Sequence, residues 1–201
     1  MRSSLVGSEM CIRDSSNGYS LVRRIIDHAG MQYTDTAPFS PESYGRDVAR
    51  FNDDNAPVTL GEVFLNPTRI YCDPVVDLIN WSQSEECRFS INDLKAICHI
   101  TGGGLSNLLR LHETLGWEIS SPLSVHPEFT WLAELGAVET WEMYRTFNMG
   151  CGMIIAVSAP HANEILTWLQ SKMAGVEIIG KVTNDGRKAV SYTHLTLPTS
   201  H

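Results

Sequence analysis

The run His99-Ile100-Thr101-Gly102-Gly103-Gly104-Leu105 sets three consecutive glycines at the end of an apolar stretch. Glycine tolerates positive φ and lets a ligand approach the main chain. With a strand before the triplet and a helix after it, successive N–H groups form an anion site suited to phosphate. Thr101, Gly102, Gly103 and Gly104 are then the candidate contacts, and Asn107 and Arg110 on the following helix add donors. A flexible loop or a tight packing turn accounts for the triplet equally well. It matches neither the Walker A pattern nor G-x-G-x-x-G. His99 is the candidate catalytic group, donating to phosphate or to negative charge developing on a carbonyl oxygen. A lone histidine ending an apolar strand is also a common satisfied core residue.

Two further segments carry clustered donors. In Ser16-Asn17-Gly18-Tyr19-Ser20, small hydroxyls and an amide sit at a helix start. Ser16, Asn17 and Ser20 either aim at a phosphate or include an ordinary cap at Asn17. In the run Met143 to Met153, Gly150 and Gly152 precede an apolar strand, with Arg145 and Asn148 just ahead of it. Arg145 and Asn148 are candidate ligand contacts, or parts of a turn with a surface arginine. Spacing alone does not choose.

These groups need a framework of elements. Leu94 to Thr101 reads as a buried strand feeding the triplet, and a helix from Leu105 to about Leu111 follows. Leu21, Val22, Ile25 and Ile26 form a helical stripe that stops at Gly30. Thr59 and Glu62 have capping-box spacing. Asp73-Pro74 reads as a cap and N1 proline for a helix to about Trp81, with Val75, Val76, Leu78 and Ile79 on its buried face. Trp117–Ile119, Met153–Val157 and Val176–Val182 read as strands. Helices are expected over Pro127–Leu135, Thr140–Phe147 and Pro160 to about Met173. Asn184-Asp185-Gly186 reads as a tight turn into a final strand. Residues 34–57, rich in Pro, Ser, Asp and Asn, read as a long surface loop or insertion. The expected class is α+β, a mixed sheet covered by helices.

Composition narrows the function classes. The chain has 201 residues, 43% of them hydrophobic, enough for one domain with a real core. Its formal net charge of −8 makes it a poor binder of nucleic-acid backbone. The five cysteines include no C-x-x-C pair, so neither a disulfide framework nor a zinc site is indicated, and no metal ligands are assigned. A reduced, cytoplasmic compartment fits. No apolar run approaches the ~20 residues that span a bilayer. Residues 1–15 (MRSSLVGSEMCIRDS) and 190–201 (VSYTHLTLPTSH) resemble translated sequencing adapter. They are expected to stand outside a domain spanning 16–189.

The runs SNGYSLVRRI, LGEVFLNPTRIY, HITGGGLSNLLR and EMYRTFNMGCGM occur in one order over residues 16 to about 190. Together they resemble the aminoimidazole ribonucleotide synthetase family (phosphoribosylformylglycinamidine cyclo-ligase), in its C-terminal domain only. The resemblance implies an α+β domain of partial ferredoxin-like topology. It implies a part in ATP-dependent cyclisation of formylglycinamidine ribonucleotide to aminoimidazole ribonucleotide, in purine synthesis. ATP would phosphorylate the formamide oxygen, the amidine-side nitrogen would attack, and phosphate would leave as the ring closes. The family's N-terminal domain carries most contacts to ATP and Mg²⁺ and much of a homodimer interface. That domain is expected to be missing here, and the chain alone to be inactive. The chain departs from the family in four places: Ser15 stands where a histidine is usual, the segment between the triplet and Arg110 is one residue shorter, a proline before Arg110 is lacking, and the insertion at residues 40–57 is longer than usual. Sister enzymes of like architecture are the alternative: selenophosphate synthetase, thiamine-monophosphate kinase or a hydrogenase maturation factor. The HITGGG and MYRTFNMG runs argue against them. A module that only binds phosphorylated metabolites, or a structural fragment, are further alternatives.

Overall fold

The computed structural model describes residues 3–9, 16–40, 56–66, 69–184 and 191–192. Among these residues the strands are β1 (Ser3–Glu9), β2 (Leu94–His99), β3 (Gly116–Ile119), β4 (Cys151–Ser158), β5 (Val176–Thr183) and β6 (Ser191–Tyr192). They form one sheet in the order β2-β4-β1-β5-β3-β6. Every pairing is antiparallel except β3 with β6. The helices are α1 (Ser16–His28), α2 (Leu60–Phe64), α3 (Cys72–Trp81), α4 (Pro127–Leu135), α5 (Thr140–Thr146) and α6 (Ala162–Lys172). No helix among the described residues is long and apolar enough to cross a membrane.

The sheet is held together at β1. Both β4 and β5 run antiparallel to it, so they run parallel to each other with β1 between them and α6 as their connection. This is the split β-α-β unit of ferredoxin-like folds. Leu5 and Val6 are buried on opposite faces, as strand alternation requires. The domain boundary expected at Ser16 is therefore not the boundary of the fold. Val6 and Leu5 are isolated apolar residues in a short polar run, so the period-2 signal was too weak to announce a central strand. The far end needs a similar correction. Residues 191–192, also set outside the domain, pair with β3 rather than returning as a hairpin partner of β5. The turn residues Asp185 and Gly186 lie outside the described residues.

Helices cover both faces. On one side, Val22, Ile25 and Ile26 of α1 join Leu60 and Phe64 of α2, Phe129 and Leu132 of α4 and Met143 of α5 against Leu5, Ile154 and Ile179. On the other, Leu78 of α3 and Ile165 and Leu169 of α6 pack on Val6, Ile155 and Val157. Trp81 bridges these two helices, stacked on Trp168 at 5.2 Å and edge-on to Phe89 at 5.1 Å.

Local signals account for most element ends. After α1, Gly30 takes φ +68, with Met31 N–H donating to Ile26 O and Gly30 N–H to Asp27 O. That pair of bonds is a Schellman stop. Thr59 and Glu62 make both bonds of the capping box. The expected cap at Asp73 is displaced: α3 begins at Cys72 with Tyr71 before it, and Asp73 lies in the first turn. Pro74 is tolerated there because first-turn N–H groups have no helical partner. Of the expected apolar face of α3 only Leu78 is fully buried, and Val76 is exposed. Pro160 falls in a 3₁₀ turn, Ala159–His161, leading into α6. The long loop is tied at its base, where Ala37 N–H donates to Val58 O and Gly61 N–H to Tyr33 O. Its residues 41–55 lie outside the described ones.

The position of β1 yields a test. Leu5→Ala removes a wholly buried side chain from the central strand and is expected to destabilise the chain by ~2–5 kcal/mol. Urea denaturation followed by circular dichroism measures it. An unchanged midpoint would show that this segment is not part of the core.

Candidate functional site

The glycine triplet leaves β2 and turns back under α5. Gly103 and Gly104 both adopt positive φ, +97 and +55. A Cβ at Gly104 would lie 2.0 Å from Tyr144 O and 2.5 Å from Phe147 O, so no other residue fits. The approach clamps the loop to the C-terminal end of α5. Gly104 N–H donates to Thr101 O at 2.9 Å, which removes it from the expected anion cradle. The N–H groups of Gly102 and Gly103 carry no hydrogen bond among the described residues, so the cradle reduces to two amides.

Asn107 shapes this loop from within. Its side chain is 2% exposed. Nδ2 donates to Gly104 O at 2.5 Å and to Gly102 O at 3.3 Å, while Oδ1 accepts from Thr101 Oγ1 at 3.4 Å. The Asn107 amide and the Thr101 hydroxyl, both expected as ligand contacts, are thus engaged with each other and with the loop's carbonyls. Ser106 Oγ also bonds back to Gly103 O at 2.6 Å. These i to i−3 bonds accompany a 3₁₀ helix, Gly104–Arg110, where an α-helix was expected.

Three sequence segments far apart in the chain meet beside this loop. A cleft of about 340 Å³ is lined by Ser20, Leu21 and Arg24 of α1, by Gly103 and Ser106, and by Glu142, Arg145 and Thr146 of α5. Ser20, Gly103 and Arg145 were legible as candidates. Arg24, Ser106, Glu142 and Thr146 were not, although Arg24 lies one helical turn from Ser20 and Glu142 three residues before Arg145. Arg24 and Arg145 place two permanent positive charges on the cleft against the single carboxylate of Glu142. With hydroxyls at Ser20, Ser106 and Thr146 and the neighbouring free amides, the arrangement suits a phosphate group.

Other expected residues lie elsewhere. His99 is exposed at the end of β2, its ring 6.1 Å from that of Tyr71 on the α3 side of the sheet, and it does not line the cleft. Strand alternation explains this: Cys98 is buried and His99 faces the other way. Arg110 is exposed and also outside the cleft. Burial pushes the Cys98 thiol upward, with the Arg110 charge a smaller opposing influence. Asn148 is buried and holds a turn: Oδ1 accepts from Gly150 N–H at 3.0 Å, with Met149 and Gly150 both at positive φ. Ser16 and Asn17 open α1, the helix starting one residue before the expected cap at Asn17.

A second hollow, of about 890 Å³, lies over the sheet near Ala96, Ala156 and Val182, with Lys95, Lys181 and His112 at its margin. It is larger but holds none of the clustered donors read from the sequence. The buried Nε1 of Trp117, on its lining, has no hydrogen-bond acceptor among the described residues. Among the described residues no group of three His, Cys, Asp or Glu side chains is placed to hold a metal ion.

The loop geometry predicts that Asn107→Ala destabilises the chain by ~1–3 kcal/mol, because it removes the buried side-chain donor that ties the Gly102 and Gly104 carbonyls together. Denaturant titration checks the sign and size, and no change would show that the loop holds its shape without the amide.

Among solved structures the chain is similar to a HypE–HypF complex, at 16% identity and a TM-score of 0.48, covering 91% of this chain and 47% of that one. It is also similar to HypE of E. coli, at 19% identity and a TM-score of 0.46, covering 99% and 51%. The chain thus spans about half the length of these proteins. The family model described as AIR synthase related protein, C-terminal domain, matches residues 4–193, beginning inside β1. The chain belongs to the AIR synthase related family and carries that family's C-terminal domain.

Proposed function

We propose that this chain is the C-terminal part of an ATP-dependent cyclo-ligase that converts formylglycinamidine ribonucleotide to aminoimidazole ribonucleotide. Its own task is to grip a phosphate group in the cleft between α1, the glycine loop and α5. One observation carries this reading: SNGYSLVR, HITGGGLS and EMYRT, separate in the chain, each contribute to one cleft with a surplus of donors. A phosphate there receives N–H bonds from Gly102 and Gly103 and charge-assisted bonds from Arg24 and Arg145. Such groups position the remainder of a nucleotide at the cleft mouth, and positioning is a large part of catalysis in a ring closure.

His99 enters this reading only as a group near the loop, not as a lining residue. ATP and Mg²⁺ belong to the full reaction. The residues described here offer no metal cluster, so no step is assigned to the ion on this chain. A homodimer of the intact enzyme is part of the same proposal.

Isothermal titration of the purified chain with inorganic phosphate and with formylglycinamidine ribonucleotide tests the reading. Both are expected to bind, the ribonucleotide more tightly. Arg145→Ala is expected to weaken the ribonucleotide by about tenfold, the worth of one bond to a charged group. Absence of saturable binding, or indifference to Arg145→Ala, would remove the phosphate site. The chain alone is expected to form no product with ATP, and measurable ATP-dependent turnover would refute that expectation.

A further inference from the structure

Glu142 is the one residue of the cleft whose charge opposes a phosphate. It lines the same cavity as Arg24 and Arg145, yet no ion pair or hydrogen bond joins its carboxylate to either arginine, or to any other described residue. Glu142 and Arg145 stand three residues apart on α5, but both are exposed and such a pair gains little by contact, so the carboxylate stays solvated and open to a ligand. Left unpaired, it is an acceptor without a donor beside a site built from donors. It costs affinity for any ligand that is anionic throughout. It favours a ligand that brings a positive or N–H-rich group next to its phosphate.

We infer that Glu142 is a specificity-determining residue, selecting phosphate esters that carry a cationic group over phosphates that are anionic along their whole length. This inference rests on the phosphate-binding reading of the cleft and deepens it. The two halves of the ligand are read by two parts of the cleft: the amides of Gly102 and Gly103 with the arginines take the phosphate, and Glu142 takes the cation. Discrimination then comes from a repulsive element as much as an attractive one.

Matched probes separate these parts. Aminoethyl phosphate and its aminobutyl homologue differ from ethyl phosphate and butyl phosphate only by a terminal ammonium. Titrated into the full chain at low ionic strength, at least one aminoalkyl phosphate is expected to bind about three- to fivefold more tightly than its alkyl counterpart, the span an exposed ion pair supplies. In Glu142→Gln the preference is expected to vanish or reverse, with alkyl phosphate binding more tightly than before. Glu113→Gln, an exposed carboxylate outside the cleft, is expected to leave the preference intact. Equal affinities in the wild-type chain, or a preference that survives Glu142→Gln, would overturn the role of Glu142 and leave the phosphate site standing. Failure of all four probes to bind the wild-type chain would overturn both.

Discussion

At Gly104 two stretches of backbone come closer than any side chain allows. The carbonyls of Tyr144 and Phe147 occupy the space a Cβ would need. That contact fixes the distance between the loop after β2 and the end of α5, and so the width of the cleft. Because the joint is backbone on backbone, it has none of the rotamer freedom that a side-chain contact would keep. Asn107 completes it by bonding to the carbonyls on either side of Gly103. The loop's carbonyls are thereby engaged within the loop, and the N–H groups of Gly102 and Gly103 have no acceptor among the described residues.

The loop can be placed so closely only because its two supports belong to one sheet. β2 pairs with β4, the strand that follows α5 in the chain, and β4 pairs with β1. The turn at Asn148–Gly150 joins α5 to β4 through two successive residues of positive φ. Met149 is not a glycine, and its conformation is sustained by burial of its side chain and by the Asn148 bond to Gly150. Asn148 therefore serves the cleft at one remove. It sets where α5 ends relative to the sheet, and with that the position of Arg145.

Much of the scaffold was legible because local signals and packing agree there. The capping box at Thr59, the stop at Gly30, the span of α4 and the apolar run of β4 each state one answer. β1 was not legible, since its identity depends on neighbours more than a hundred residues away and its own alternation is brief. The same limit applies to the site. The glycine triplet announces a backbone device, and the family resemblance points to its neighbours. Which donors are free is decided by hydrogen bonds that pattern cannot reveal. Asn107 carries the same amide as any ligand contact, and only its bonds to the Gly102 and Gly104 carbonyls show that it is occupied. His99 fell on the wrong side because strand alternation is certain but the choice of face is not.

A division of labour follows between residues that hold the cleft and residues that meet its contents. The enclosed amides hold the backbone around the cleft: Asn107 Nδ2 donates to the loop's carbonyls, and Asn148 Oδ1 accepts from Gly150 N–H. Ser20, Arg24, Ser106, Glu142 and Arg145 are exposed, and their charged members make no ion pair among the described residues. Exposed charges interact weakly with each other in water, and their energies grow when a ligand or covering domain displaces that water. The arginines and Glu142 are in that state: positioned by a rigid helix, but still solvated. Tight recognition therefore requires a second surface that closes over the cleft and lowers the dielectric around these charges. On the proposed reading, the cleft of this domain alone is an open site, selective in sign and modest in strength.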